Sequence, residues 1–225
     1  MTTNSTSRFW TCKALTDIWT GDAYREGNRL ITTGLLGSIR WWFEVVVRGL
    51  GGSACDPSNP HNRCPQDSHK KPTGDGHRCV VCQLFGCTGW ARKFRFQVLD
   101  ENGNIKRNRI RQNQRFTLRF HALRPIHDEE WALLDLTLRL IAEYGAIGGR
   151  TVFKPTDESN HHHEIHEDFG LIQLESTGSA LPVSTEKELR DYVADPRWRR
   201  VDHDDFAWAS LDNFWCVKGR YLARQ

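Results

Sequence analysis

Cys79-x-x-Cys82, with Cys64 fifteen residues upstream and Cys55 nine before that, places four thiols along one short stretch of chain. Thiolates are soft, strongly donating ligands, and four on a loop can close a tetrahedron around zinc. Four protein ligands leave no coordination position for water, so such a zinc staples the loop and activates no nucleophile. Cys87, His61, His69 and His77 lie near enough in sequence to replace one member of the set. The chain has seven cysteines, and five of them fall between residues 55 and 87. This crowding suits a metal site in a reducing compartment better than a disulfide framework, so a cytoplasmic protein is expected.

A second chemistry is written in charge. The formal net charge is only +3, yet residues 1–155 hold 23 Lys and Arg against 14 Asp and Glu, and residues 156–213 hold 5 against 14. Lys106, Arg107, Arg109, Arg111, Arg115, Arg119 and Arg124 follow one another without an intervening carboxylate. A phosphate backbone would relieve their mutual repulsion and release its counterions, which points to nucleic acid. A membrane is not the expected partner, because no amphipathic helix and no run of 18 apolar residues is present. The start of the chain lacks a basic region followed by an apolar block, so no secretory signal is read.

Other chemistry-bearing residues are weaker signals. Gly145-Ala-Ile-Gly148-Gly149-Arg150 lets backbone approach a phosphate while Arg150 offers a charged fork, but it lacks the G-K-[ST] ending of a nucleotide-hydrolysing loop. His161, His162, His163 and His166 lack the H-E-x-x-H order of a zinc protease and read as a polar loop. Trp41-Trp42 beside Arg40 leaves one ring to point off the apolar stripe, where it can stack on a base. His121 is the one candidate general base on the cationic face.

The elements that must position these groups are legible from periodicity. Residues 8–15 read as a first strand, and 33–50 as a helix with Thr33 as N-cap, an apolar stripe of Leu36, Ile39, Phe43, Val46 and Leu50, and Gly51-Gly52 as its end. Residues 51–78 lose periodicity and form an insertion that needs a staple. Residues 93–99 and 115–122 alternate as strands, the latter with Phe116, Leu118, Phe120 and Ala122 behind and Arg115, Thr117, Arg119 and His121 in front. A second helix over 128–144 carries acidic residues in its first turn. A strand at 169–174 and a short helix at 185–193, begun by an approximate capping box at Ser184 to Lys187, complete the order. βαββαβ specifies an α+β, ferredoxin-like (RRM-like) core, here with a zinc-stapled insertion. One such domain is expected over 1–180, with the Cys-rich insertion at 52–90 and a C-terminal extension over 181–225.

Four blocks of sequence, W-T-G-D at 19–22, G-L-L-G-S-I-R-W-W-F-E at 34–44, C-Q-L-F-G-C-T-G-W at 82–90 and Y-G-A-I-G-G-R-T at 144–151, together with F-W-C-V-K-G-R-Y-L at 214–222, resemble the RAMP superfamily of CRISPR proteins. Within it they resemble the first RAMP subunit of the Cmr (type III-B) RNA-guided effector complex. The resemblance implies a non-catalytic subunit of an antiviral ribonucleoprotein that binds guide RNA toward its 3′ part, target RNA, or both, beside other RAMP subunits. It places a phosphate site at Gly34, Gly37, Ser38 and Arg40 and a second at Gly145, Gly148, Gly149 and Arg150. Family members continue into a second ferredoxin-like domain, so a truncated or split form is expected here. The loop aspartate used for target cleavage by another RAMP subunit has no match.

The RNA-binding set expected from residues and resemblance together is Gly37, Ser38, Arg40, Trp41, Arg92, Lys93, Arg115, Arg119, Gly148, Gly149 and Arg150, and the expected zinc ligands are Cys55, Cys64, Cys79 and Cys82. The rival is a metal-independent RAMP endoribonuclease that processes precursor guide RNA. It would use His121 or His166 as base, with Lys93 or Arg119 stabilising phosphorane charge.

Overall fold

Strand β1 (Ser7–Ala14) forms the middle of the molecule, and its inward set is Trp10, Cys12 and Ala14. The computed structural model describes residues 7–21, 27–55, 60–65, 74–148, 168–178, 180–201 and 209–214. β1 pairs antiparallel with β3 (Arg115–Ala122) on one side and β4 (Ile172–Thr177) on the other, and β3 pairs antiparallel with β2 (Phe94–Leu99). The resulting four-stranded sheet has the order β2-β3-β1-β4. Phe94, Phe96, Val98, Phe116, Leu118 and Phe120 alternate onto the buried face, as the period of two requires. Trp10 is fully buried there, edge-on to Phe120 at 5.5 Å, and its indole N–H donates to Asp135 Oδ1 at 2.8 Å.

Two long helices cover that face. α1 (Thr32–Gly49) buries Leu35, Leu36, Ile39, Trp42, Phe43 and every residue from Glu44 to Arg48. Its start differs from the expected one. Ile31 occupies the N-cap and Thr33 lies inside the helix, while Thr20 Oγ1 accepts from the Ile31 amide at 2.8 Å and donates to the Arg29 carbonyl at 3.2 Å. A distant threonine therefore fixes where the helix begins, a contact that local pattern does not contain. α1 ends as expected, with Gly51 at φ +88.

The Cys-rich insertion contains an element that periodicity missed: α2 (Val80–Phe85), a single buried run too short to show a 3.6-residue period. α3 (Asp128–Tyr144) matches its expected bounds. β4 starts three residues later than expected. Gly170 takes φ +70 and packs so tightly on the Ile147 carbonyl that a Cβ would sit 2.0 Å from its oxygen, so the chain turns there before the strand can begin. Phe169 forms an isolated bridge with Ile18.

α4 (Glu186–Ala194) is capped by Thr185, not Ser184. The Thr185 Oγ1 accepts from the Glu188 amide at 3.3 Å, and Glu188 Oε2 accepts from the Thr185 amide at 2.7 Å. Its buried residues Leu189, Tyr192 and Val193 bring the described part of the C-terminal extension onto α3 and, through Val193 beside Gly52, onto the start of the insertion. Among the described residues no helix is long and apolar enough to cross a membrane.

Candidate metal centre and nucleic-acid interface

Cys55 follows α1, Cys64 follows a 3-10 turn at Pro60–Asn62, Cys79 caps α2 and Cys82 sits in its first turn. All four are buried, and their sulfurs lie within 4.8 Å of one another. Cys55 Sγ is 3.5 Å from Cys82 Sγ and 3.8 Å from Cys79 Sγ. A tetrahedron with zinc–sulfur bonds of about 2.3 Å has edges of about 3.8 Å. The spacing therefore fits a tetrathiolate ion. Backbone amides are already aimed at the sulfurs: the Cys64 N–H donates to Cys55 Sγ and the Cys79 N–H to Cys64 Sγ, each at 3.2 Å. The Cys64 thiol is held far below its ordinary range, first by hydrogen bonding from Cys55, then from Cys79 and Cys82.

Two arginines complete the surroundings. Arg40 Nη2 donates to Cys82 Sγ at 3.2 Å, and Arg199 Nη1 donates to Cys64 Sγ at 3.2 Å. A tetrathiolate zinc carries excess negative charge, and the buried Arg199 and the half-buried Arg40 set guanidinium groups against the sulfurs that would compensate it. Arg48, also buried, donates to the carbonyls of Cys55 at 3.1 Å and Ala209 at 3.1 Å, fixing the first ligand's loop to the end of α1. Cys87 is half-buried and stands outside the four-sulfur group, and His77 is buried without belonging to it. His61 is exposed on the 3-10 turn, and His69 lies outside the described residues.

This geometry corrects Arg40. Its guanidinium was expected to meet phosphate, but Nε bonds Glu44 at 3.0 Å, Nη1 bonds the Gly86 carbonyl at 3.0 Å and Nη2 faces sulfur. Each of its three guanidinium nitrogens has a partner within the protein. Lys93 needs the same correction. It is 3% exposed, and its ammonium is held by Glu130 at 2.7 and 2.9 Å. Burial against a carboxylate removes it from the reach of a strand in solvent, and removes it equally from the role of phosphorane stabiliser.

The glycine loop and α1 do come together. The Gly148 amide donates to Ser38 Oγ at 3.2 Å, and the Trp42 indole donates to the Ala146 carbonyl at 2.9 Å. Gly148 has φ +110, and a Cβ there would stand 2.6 Å from the Trp19 carbonyl oxygen, so the close approach demands glycine. Gly37 is exposed on the same end of α1, with open space where a Cβ would be. Trp41 is half-buried and meets Trp42 and Phe214 edge-on at 5.0 and 6.0 Å. Gly149, Arg150 and the histidines at 161–166 lie outside the described residues.

Around this end of α1 the arginines divide into two kinds. Arg109 is bound to Asp17 at 3.1 Å and Asp168 at 3.5 Å, and Arg115 to Glu175 at 2.9 Å. Arg119 Nε donates to Gln97 Oε1 at 2.9 Å, and Lys106 to Gln114 at 3.1 Å. The run that reads as seven uncompensated cations is thus partly paired across the fold. Arg29, Arg107 and Arg111 are exposed, with no carboxylate partner among the described residues. Arg29 was missed by sequence reasoning. It joins the basic run only because residue 29 bridges Asn108 and the Leu30 amide donates to the Arg107 carbonyl at 2.9 Å. No local signal reveals that pairing, or the approach of Arg199 to Cys64.

His121, the candidate base, bonds Ser7 through Nδ1 at 2.8 Å and stands opposite Arg95 in the sheet register. With Lys93 withdrawn, Arg119 is the remaining cation of the proposed nuclease set, and Gln97 engages it. Arg92 is exposed just before β2.

The RAMP superfamily model matches residues 11–153, well over half of the chain, from within β1 through α1, the four cysteines and the glycine loop. The chain belongs to the RAMP superfamily. No curated protein matches it. Among solved structures, Cmr1 from Pyrococcus furiosus in its apo form is similar at 12% identity and a TM-score of 0.45, covering 77% of this chain and 50% of that one. The Csm3-Csm4 subcomplex of the type III-A CRISPR-Cas interference complex is similar at 13% identity and a TM-score of 0.34, covering 83% of this chain and 93% of that one. This RAMP chain spans about half the length of the Cmr1 chain it matches.

Proposed function

We propose that this RAMP chain is a non-catalytic, single-stranded-RNA-binding subunit of a type III CRISPR ribonucleoprotein, resembling the first RAMP subunit of the Cmr (type III-B) complex. It binds guide RNA, target RNA or both beside other RAMP subunits. The element order βαββαβ, once α2 is set aside as part of the insertion, and the strand order β2-β3-β1-β4 support a ferredoxin-like core. The observation that carries the reading is the shared end of α1. There Arg29 and Arg107, free of carboxylates among the described residues, adjoin a helix start with no acidic first turn and a loop whose Gly148 is tied to Ser38. Unpaired fixed charge beside exposed backbone N–H groups favours the repeating phosphates of a strand over any one base, so sequence is read by pairing with the guide. Arg150, next along the loop, is proposed to extend this surface.

Cys55, Cys64, Cys79 and Cys82 are proposed to hold a structural zinc. When bound, the ion would cross-link the first part of the insertion, at Cys55 and Cys64, to α2 within it, while Arg40 and Arg199 neutralise the sulfurs. Residues 1–180 are proposed to form the RAMP domain, with 181–225 buttressing the insertion through Arg199 and Val201.

The test is ultraviolet crosslinking of the full chain to single-stranded RNA in EDTA, with mapping of the attached residues. Crosslinks at the start of α1 and the 145–150 loop with the RNA intact are expected. Specific cleavage products would replace this reading with the endoribonuclease.

A further inference from the structure

A second cationic group lies at the other end of β2, outside the surface just described. Trp90 is presented by a tight turn in which residues 87 and 90 exchange backbone hydrogen bonds, and its indole donates to the Gln83 carbonyl at 3.2 Å. Gly86 at φ +87 is required here, since a Cβ would stand 2.7 Å from the Arg92 amide. Two guanidinium groups stack on that one indole: Arg78 at 3.6 Å and Arg124 at 4.1 Å from the ring centroid. Like charges sharing a ring repel, and the ring quadrupole only partly offsets the repulsion.

The protein supplies these cations with few acceptors. Arg78 uses Nε to reach Gln83 Oε1 at 2.5 Å, while its Nη1 is buried without a partner. Arg124 has no side-chain hydrogen bond or carboxylate among the described residues, and its Nη2 is likewise buried without a partner. Glu130, the partner of neighbouring Lys93, is taken by that ammonium at 2.7 Å. Arg92 and Arg95 are exposed beside the turn and also lack a carboxylate partner among the described residues. With two guanidinium groups already on the indole, the ring offers little room for a base, so the ligand this site fits is an anion met by N–H edges.

We infer that Arg78 and Arg124, stacked on Trp90, bind one backbone phosphate of the RNA strand, at a site separate from the α1 surface. The inference rests on the proposed RNA-binding function. The six residues of β2 separate the two sites by roughly 20 Å at about 3.3 Å per residue, so a strand held at both ends runs along the sheet. Arginine forks suit this role because they meet phosphate bidentately.

The test uses the full chain and a short oligouridylate, with affinity measured across salt concentrations. One lost phosphate contact on a single strand lowers the slope of log K against log salt by about 0.7. The Arg78→Gln/Arg124→Gln double variant is expected to show that loss with about tenfold weaker binding at low salt. Arg124→Lys, which keeps the charge and disturbs the stack less, is expected to retain the slope but weaken binding, and serves if the double variant misfolds. A wild-type slope in the folded double variant, while Arg29→Glu/Arg107→Glu loses binding, would overturn this site and leave the α1 surface standing. Absence of oligouridylate binding by the unaltered chain would overturn both. An unchanged slope accompanied by loss of a neighbouring subunit would reassign Arg78 and Arg124 to a protein contact.

Discussion

The four cysteines and the seven-residue basic run are both dense, local clusters of one residue type, yet folding treats them in opposite ways. The cysteines converge: residues spread from 55 to 82 bring all four sulfurs within 4.8 Å. The basic run is dispersed: Arg109 and Arg115 are claimed by carboxylates and Arg119 and Lys106 by amides, while Arg124 stacks on the Trp90 indole without a carboxylate among the described residues. Arg107 and Arg111 keep exposed, carboxylate-free positions, and Arg29 joins them from elsewhere. Thiolates sharing one ion need one another. Cations of like sign do not, so each takes whatever acceptor the fold brings nearby.

The largest expected effect comes from breaking the convergent cluster. Cys82→Ser should abolish stoichiometric zinc, measured by elemental analysis, and open residues 52–90 to limited proteolysis. Structural zinc contributes on the order of 10–16 kcal/mol to small metal-stapled units. Unchanged metal content and an unchanged digestion pattern would remove the site.

Next in size is the pair that took Lys93 out of the interface. Lys93→Met leaves Glu130 buried without its cation, and breaking a buried pair on one side costs about 3–5 kcal/mol, readable as a lowered midpoint in urea. Burial acts first on Lys93 and holds its ammonium below the ordinary lysine value, with Glu130 opposing. Between that lowered value and the unfolded one the unfolded chain binds more protons, so this group makes stability rise with pH in that alkaline window. Lys93→Met should erase the rise. A stability loss below 1 kcal/mol would mean that Lys93 is solvent-accessible after all.

The smallest effect is the one that separates free from claimed arginines. Arg107→Ala should flatten the salt dependence of RNA binding by about 0.7 in slope, whereas Arg115→Ala, whose charge already faces Glu175, should leave it unchanged. Equal responses would show that the ion pairs across the sheet do not govern which arginines bind.

Much of the fold is readable along the chain. The alternation at 94–99 and 115–122 and the acidic first turn at 128 identify β2, β3 and α3 to within a residue. The start of α1 was misplaced because Thr20, eleven residues upstream of Ile31, sets it. α2 was missed because six buried residues display no period. At the site, the four-cysteine cluster follows from spacing, while the contacts of Arg40 with the Gly86 carbonyl and the Cys82 sulfur depend on how α1 packs on the insertion.

The sequence by itself determined the longer elements and the four-thiol set, since helical and strand periodicity and short loop closure depend on neighbours along the chain. Only the tertiary structure decided which cations are free. Arg115 meets Glu175 across 60 positions, Lys93 meets Glu130 across 37, and Arg199 meets Cys64 across 135. Coulomb interaction depends on distance in space, and nothing in the order of residues specifies that distance until the sheet and helices have packed.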